Sequence, residues 1–342
     1  DLYPAPALSY FGGMINPSSD TGDGGQTESA YTAQFGNGFS ATLSLEAPRT
    51  TTVFNATPAS GTAGAFLGAA GATGALVQSS GNVRYPDVVG NLRMDASWGA
   101  AQIMGGIHDV APSYFGATTA TGGPSAATGF FVGAGAKINF PSIGPGDYFS
   151  FQVNYTQGAV GYLDDGATTA AGVIAPPAAG GYYSAYNGGA GGNYGFGVIT
   201  DGVYGVNGTP QSIQLTTAWG VNAGYEHFWN KRWQSSLYGV YMAVSYNANA
   251  NTMLCGSEGI VVAVATCNNN FAYWAVGTRT QFNIDSQTYV GLDVVYTVLD
   301  QNQLGGAATF TSGQGQQPVA ARTLADQSAW MAEFRFHRNF YP

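Results

Sequence analysis

Eleven segments of this chain alternate apolar residues with small or polar ones at every second position. Phe39, Ala41, Leu43 and Leu45 interleave with Ser40, Thr42, Ser44 and Glu46. Phe149, Phe151, Val153 and Tyr155 interleave with Ser150, Gln152, Asn154 and Thr156. Val290, Leu292, Val294, Tyr296 and Val298 do so with Gly291, Asp293 and Thr297, with Val295 the exception, and Phe334 and Phe336 with Glu333, Arg335 and His337. A period of two is the pattern of a strand with two unlike faces. The strands read as 29–35, 39–47, 87–98, 100–110, 128–140, 147–157, 213–229, 232–247, 271–284, 288–299 and 328–340. Their connections then run short, long, short, long along the whole chain. The short ones are Gly36-Asn37-Gly38, Gly99, Pro141 to Gly146, Asn230-Lys231 and Asp285-Ser286-Gln287; the long ones are 48–86, 111–127, 158–212, 248–270 and 300–327. A soluble sandwich has no reason to sort its connections this way. An all-β transmembrane antiparallel β-barrel does, with tight turns on the periplasmic side and long loops outside. The segments also suit tilted spans of ~9–11 residues plus overhang.

Composition removes the competing classes. Only 8% of residues are charged, where a soluble surface needs roughly 25%. A disordered chain does not carry 45% hydrophobic and 13% aromatic residues. Mean hydropathy is −0.01, and no run approaches the ~18 apolar residues of a spanning helix. The net charge is −9. No basic patch for nucleic acid is visible, and Lys/Arg clusters for docking on anionic lipid are missing too. Cys255 and Cys267 fall in one predicted loop, which reads as a disulfide in an oxidising compartment or as two unpaired thiols. No signal peptide opens the chain at Asp1, which suggests an upstream segment removed from the protein.

Phasing assigns the charges to faces. Glu46, Arg93, Asp95, Lys137, Glu226, Arg279, Asp293, Glu333 and Arg335 fall on the inner face, since Arg or Lys facing lipid at mid-depth costs about 2–4 kcal/mol. Opposed acids and arginines in a narrow wet hole would select ions by a transverse field. The plainer reading is local pairing, as of Arg93 with Asp95. Gly133, Gly135, Gly220, Gly224 and Gly277 also phase inward, which points to an open lumen. Aromatics gather beside short turns: Trp98, Phe140, Phe228, Trp229 and Trp233. That is the place of an interfacial girdle. The Tyr/Gly/Asn-rich run from Gly180 to Gly197 suits a surface loop that buries little, and no long helix is predicted.

Chemistry finds little purchase. His227 phases outward near Trp229, the one candidate for a lipid-facing catalytic histidine, but no G-x-S-x-G elbow occurs. The chain reads as no enzyme, with no cofactor. Asp20-x-x-Asp23-Gly24 with Glu28 lacks the spacing of a calcium loop, so no metal site is assigned. Acidic external loops, including Asp164-Asp165, suit bridging of lipopolysaccharide by divalent ions.

Four stretches resemble the general porins of alphaproteobacteria of the rhizobial type. They are Phe35 to Glu46, Tyr85 to Arg93, Trp98 to Asp109 and the ending Phe334 to Phe340. The resemblance implies a sixteen-stranded, trimeric diffusion pore in the outer membrane of a Gram-negative bacterium, in contact with lipid and lipopolysaccharide. Eleven of those strands would lie in residues 29–342. Residues 1–28 would then belong to the loop that folds into the lumen and narrows it, supplying Asp20, Asp23 and Glu28 as acids opposite the arginines, with Leu2, Tyr3, Tyr10, Phe11 and Met14 packed on the wall. About five upstream strands would be missing from the sequence. The expected function is passive diffusion of small hydrophilic solutes and ions. The alternative is a structural or adhesive barrel with a blocked lumen and partner-binding external loops.

Overall fold

The alternating segments build one wall. The computed structural model describes residues 8–11, 15, 17–19, 25–49, 53–56, 84–112, 114–115, 120, 122–164, 174–175, 182–187, 192–205, 212–257, 267–302, 307–309 and 321–340. Elements are numbered in chain order. The long strands are β1 (Glu28–Gly36), β2 (Phe39–Glu46), β4 (Asp87–Ala96), β5 (Gly99–Val110), β6 (Ala127–Asn139), β7 (Tyr148–Gln157), β13 (Thr217–Phe228), β14 (Trp233–Ser245), β15 (Phe271–Asn283), β16 (Thr288–Gln301) and β19 (Gln327–Arg338). Between them lie the short strands β3 (Val53–Asn55), β8 (Ile174–Ala175), β9 (Tyr182–Asn187), β10 (Asn193–Val198), β11 (Gly202–Tyr204), β12 (Gln214–Leu215), β17 (Ala307–Thr309) and β18 (Ala321–Leu324), and the helix α1 (Ala248–Ser257).

The eleven long strands pair neighbour to neighbour into one antiparallel sheet, and the sheet is not closed: β1 and β19 are its two edges. Tight turns allow this meander. Gly38 has φ +82°, and a Cβ there would strike the Asp95 carbonyl. Gly99 has φ +142°, and a Cβ would strike the carbonyl of Lys137. A side chain at either place would push neighbouring strands apart.

The two faces of the wall differ as the alternation requires. One is bare and apolar, with Leu43, Leu92, Ile103, Val132, Leu237 and Phe334 all exposed. Two aromatic rows cross it. The row near the long loops runs through Tyr155, Trp219, Tyr241, Trp274, Tyr296 and Trp330, each adjoining the next by strand register or ring contact. The row near the short turns includes the expected Trp229 and Trp233, with Trp233 directly opposite Phe282. From Trp274 to Phe282 is eight steps along β15, or about 26 Å of strand at ~3.3 Å per residue. With a tilt of about 40° the spacing becomes ~20 Å, close to the ~25 Å apolar band of an outer-membrane wall.

The other face is covered over much of its area. The main core cluster joins Tyr238, Val240, Met242 and Tyr273 of the wall to Leu8, Ile15 and Leu163, and to Phe196, Val198, Ile199 and Val203. This corrects the expectation that the Gly-rich run buries little. Gly195 and Gly197 let the β10 backbone lie against the side chains of Gln327 and Phe271, where a Cβ would clash. Small residues serve close approach here. The long connections also supply two small sheets, β17-β18-β10-β9-β8 and β12-β11-β3. At the long-loop end a buried polar knot ties them to the wall. His108 and Tyr162 both bond Asp87 at 2.8 Å, and Asp201 caps the Val160 N–H at 2.8 Å.

The helix was not expected. Asn247 caps it through the Ala250 N–H at 2.9 Å, and Ala250, Met253 and Leu254 bury one short stripe. Cys255 near its end is disulfide-bonded to Cys267. A loop of this size loses roughly 3 kcal/mol of unfolded-state entropy on cross-linking. Reduction is expected to raise amide exchange in residues 248–257 while leaving the far-ultraviolet β signature of the wall unchanged.

Asp147 fixes the 140–147 turn to β13. Its carboxylate accepts the Phe228 N–H at 2.9 Å, the Tyr225 hydroxyl at 2.6 Å and His227 Nδ1 at 2.6 Å. Burial pushes the carboxyl up, but these donors outweigh it and hold it below the ordinary range. A depressed carboxylate contributes stability above its unfolded value and loses it as pH falls through the lower folded value. Exchange protection of the Phe228 amide is therefore expected to hold from neutral pH down to about pH 4 and to drop only below that. In Asp147→Asn it should be low throughout.

Candidate functional site

Every wall charge that phasing placed inward lies on the covered face, because each strand alternates strictly and neighbours share parity through the ladder. Register adds what phasing alone does not contain. Tyr148, Glu226, Ser236, Arg279, Asp293 and Glu333 are successive cross-strand partners from β7 to β19. Four charged groups thus stand in one transverse row.

The row is tightly bonded. Arg279 pairs with Glu226 Oε1 at 2.6 Å, both side chains buried. Gln234 donates to the same oxygen at 2.9 Å, and the Tyr148 hydroxyl to Oε2 at 2.8 Å. The Lys137 ammonium sits 4.0 Å from the centre of the Tyr148 ring, a cation–π contact that ties β6 into the row. Asp293, wholly buried, accepts the Tyr238 hydroxyl at 2.5 Å, the Ser9 hydroxyl at 2.8 Å and the Tyr10 N–H at 2.6 Å. Arg335 pairs with Glu333, lies over the Tyr10 ring at 4.4 Å and donates to the Tyr10 carbonyl at 3.1 Å.

The described part of residues 8–19 is laid along this face. Ser236 donates to the Leu8 carbonyl at 2.6 Å, Asn222 to the Ile15 and Pro17 carbonyls, and Gln152 to the Ser19 carbonyl at 2.9 Å. Ser18 donates to the Gly220 carbonyl at 2.9 Å. A segment without its own ladder needs such donors and acceptors, and short polar side chains on four strands provide them. Tyr10 closes the contact, donating to Gln281 at 2.9 Å. Burial, only partly opposed by Arg279, pushes its hydroxyl up to about 12, so it stays a donor at neutral pH.

The space at Gly220 and Gly224 is filled by overlying segments and that at Gly133 and Gly277 by side chains of the wall, which corrects the reading of these four as open space. A Cβ on Gly224 would meet Leu8, on Gly220 Leu163, and on Gly277 the Tyr238 ring. Leucine and tyrosine occupy the room that glycine leaves.

Other expected residues stand apart from the row. Arg93 and Asp95 form a local two-bond ion pair at 2.8 Å. Glu46 accepts from Ser44 at 2.8 Å and faces Glu28 across the β1–β2 ladder, with Glu28 exposed. Asp20 and Asp23 lie outside the described residues, as do Leu2, Tyr3 and Met14. Residue phasing missed Tyr148, Gln234 and Asn222, whose parity marks them as inward but whose neutral side chains attract no attention; Tyr10, expected on the wall, lies against Arg335 and Gln281 there.

Removing one partner of a buried pair leaves an uncompensated charge and typically costs 3–5 kcal/mol. Arg279→Met is expected to destabilise the wall by about that much. The double change with Glu226→Met should recover most of the loss. Denaturant midpoints of the two variants, read against the parent, test this.

A family model described as the porin subfamily matches residues 2–332. No curated protein matches the chain. Among solved structures, the chain is similar to the outer membrane channel DcaP of Acinetobacter baumannii, at 12% identity and a TM-score of 0.48 over 93% of this chain and 66% of that one. It is also similar to the anion-selective porin of Comamonas acidovorans, at 11% identity and a TM-score of 0.43 over 98% of this chain and 72% of that one.

Proposed function

The chain belongs to the porin subfamily, and on that premise we propose that it forms a water-filled channel for passive diffusion of small hydrophilic solutes and ions. It is an outer-membrane protein of a Gram-negative bacterium, crossing the bilayer with strands. The observation that carries the proposal is the transverse row of bonded charges on one face of a wall whose other face is apolar and banded by aromatics. Such a wall separates lipid from water. The protein performs no covalent step; it replaces a hydrocarbon barrier by a polar path whose width and field choose what passes. The same polar face stays open on β1, where Glu28, Thr32 and Gln34 are exposed. In this reading a sixteen-stranded barrel of the rhizobial type assembles as a homotrimer, residues 1–28 narrow the lumen, and the external loops touch lipopolysaccharide.

A second reading is a barrel with a blocked lumen that works through its external loops. The filling of the inward glycines by Leu8, Leu163 and Tyr238 favours it.

Planar-bilayer conductance of the intact protein separates the two. The channel reading expects steady conductance, and the blocked barrel none. Arg93, Lys137, Arg279 and Arg335 stand against Glu46, Asp95, Glu226, Asp293 and Glu333, four positive to five negative. Asp20, Asp23 and Glu28 add three more acids. Charges are screened over about 8 Å at physiological salt, so a weak cation preference that fades as salt rises is expected. Neutralising Asp20 and Asp23 together should move the reversal potential toward anions at low salt. An unmoved potential would remove these two residues from the conducting path.

A further inference from the structure

The sequence holds no Lys/Arg cluster, yet the fold makes one. Of the ten basic residues in a chain of net charge −9, Arg84, Arg93, Arg279 and Arg335 are in ion pairs with Asp109, Asp95, Glu226 and Glu333. Lys137 lies over Tyr148, and Arg49 and Arg322 are buried. The other three, Lys231, Arg232 and Arg338, are exposed, and among the described residues none has a carboxylate within ion-pair distance.

All three stand on the short-turn rim of the same half of the wall. Lys231 and Arg232 form the turn between β13 and β14, and Arg338 ends β19. The Asn283 N–H donates to the Arg232 carbonyl at 2.7 Å, and the Asn339 N–H to Gln287 at 2.9 Å, so the intervening β15–β16 turn links the two places. Of the acids there, Asp285 accepts the Gln287 N–H of its own turn at 2.7 Å and stands close enough to Arg338 for that charge to help hold its carboxyl down, one acid against three cations. Asp147 is buried beneath Tyr225, His227 and Phe228.

Immediately below the cations the bare face carries an apolar row. Trp233, Phe282, Val290 and Phe336 are successive cross-strand partners from β14 to β19. Trp229, 65% exposed, is held edge-on to His227 at 4.3 Å and donates its indole N–H to Ser235 at 3.1 Å. Arg338 shares the parity of Phe336, and so projects from the membrane face just past the row. Aromatic rings of this kind sit at headgroup depth, and long cationic side chains reach from that depth to phosphate.

We propose that this rim is a binding collar for anionic phospholipid in the leaflet on the short-turn side. Lys231, Arg232 and Arg338 meet the headgroup phosphates, and Trp229, Trp233, Phe282 and Phe336 seat against the upper acyl chains. The charge sign selects an anionic headgroup, and the continuity of the cations with a membrane-facing aromatic row selects a lipid over a soluble acidic partner. The proposal rests on the reading of the bare face as lipid-facing.

The test uses the purified protein in nanodiscs of phosphatidylethanolamine with a minor fraction of phosphatidylglycerol, acyl chains matched. Enrichment of each lipid on the protein is measured by mass spectrometry at low and high salt. Preference for phosphatidylglycerol is expected, weakening with salt. It should fall about fivefold for each of Lys231→Gln, Arg232→Gln and Arg338→Gln, and vanish in the triple variant. Trp229→Ala with Trp233→Ala should lower retention of both lipids alike. A triple variant that keeps the parental preference overturns the proposal. So does enrichment abolished by soluble glycerophosphate as completely as by lipid exchange, which marks a phosphate site without a bilayer. Exclusion of the parent protein from discs of pure phosphatidylethanolamine would instead sink the membrane reading itself.

Discussion

Hydrocarbon offers no hydrogen bonds, so a wall that meets lipid must satisfy every backbone N–H and C=O within itself. Here that condition takes the form of an antiparallel ladder over eleven strands, open at its edges β1 and β19, and the other features descend from it. A ladder fixes the parity of each residue, parity commits the middle of one face to apolar side chains, and the charges of the transverse row fall on the other. Charges crowded onto one face then find partners across strands: Glu226 with Arg279, Asp293 with Tyr238, Lys137 with the Tyr148 ring. The transverse row follows from ladder register.

The polar face carries two kinds of residue for two purposes. Glycines such as Gly224 and Gly277 lower the wall so that Leu8 and Tyr238 fit against backbone. Amides and hydroxyls such as Gln152, Asn222 and Ser236 bond the main chain of the overlying segment. Neither works without the other. Room without hydrogen-bond partners would bury an unsatisfied backbone, which costs about as much as the bonds it lacks.

Much of this was legible in the sequence, and the limits have physical causes. The long strands were visible because Phe149 to Thr156 and its like carry a period no helix tolerates. The inward parity of Glu226, Arg279 and Asp293 followed from the same period. Their common level did not, because it depends on how many residues each turn spends, and turns such as Asn230 to Arg232 leave that open until the ladder is laid. Strands as short as Val53–Asn55 and a helix whose one buried stripe is three residues are too short to show a period in the sequence. The inward glycines were read as open space because a sequence shows what a residue lacks and not what moves in. The rim cations were missed because Arg338 is far along the chain from Lys231, and only pairing of β14 through β19 sets them on one edge.

The bonds that hold residues 8–19 have a temporal meaning. Ser9 reaches Asp293 across 284 positions, Leu8 reaches Ser236 across 228, and Ile15 reaches Asn222 across 207. Strand pairing between neighbours closes short loops and proceeds locally, whereas these contacts require acceptors and donors on three strands that are already in register. Loop-closure entropy falls due before they form. Residues of this segment are therefore expected to settle after the strands they cover have paired. Until that segment docks, Asp293 and Glu226, buried in the finished protein, would stay in contact with water, so the dense face would be closed from within.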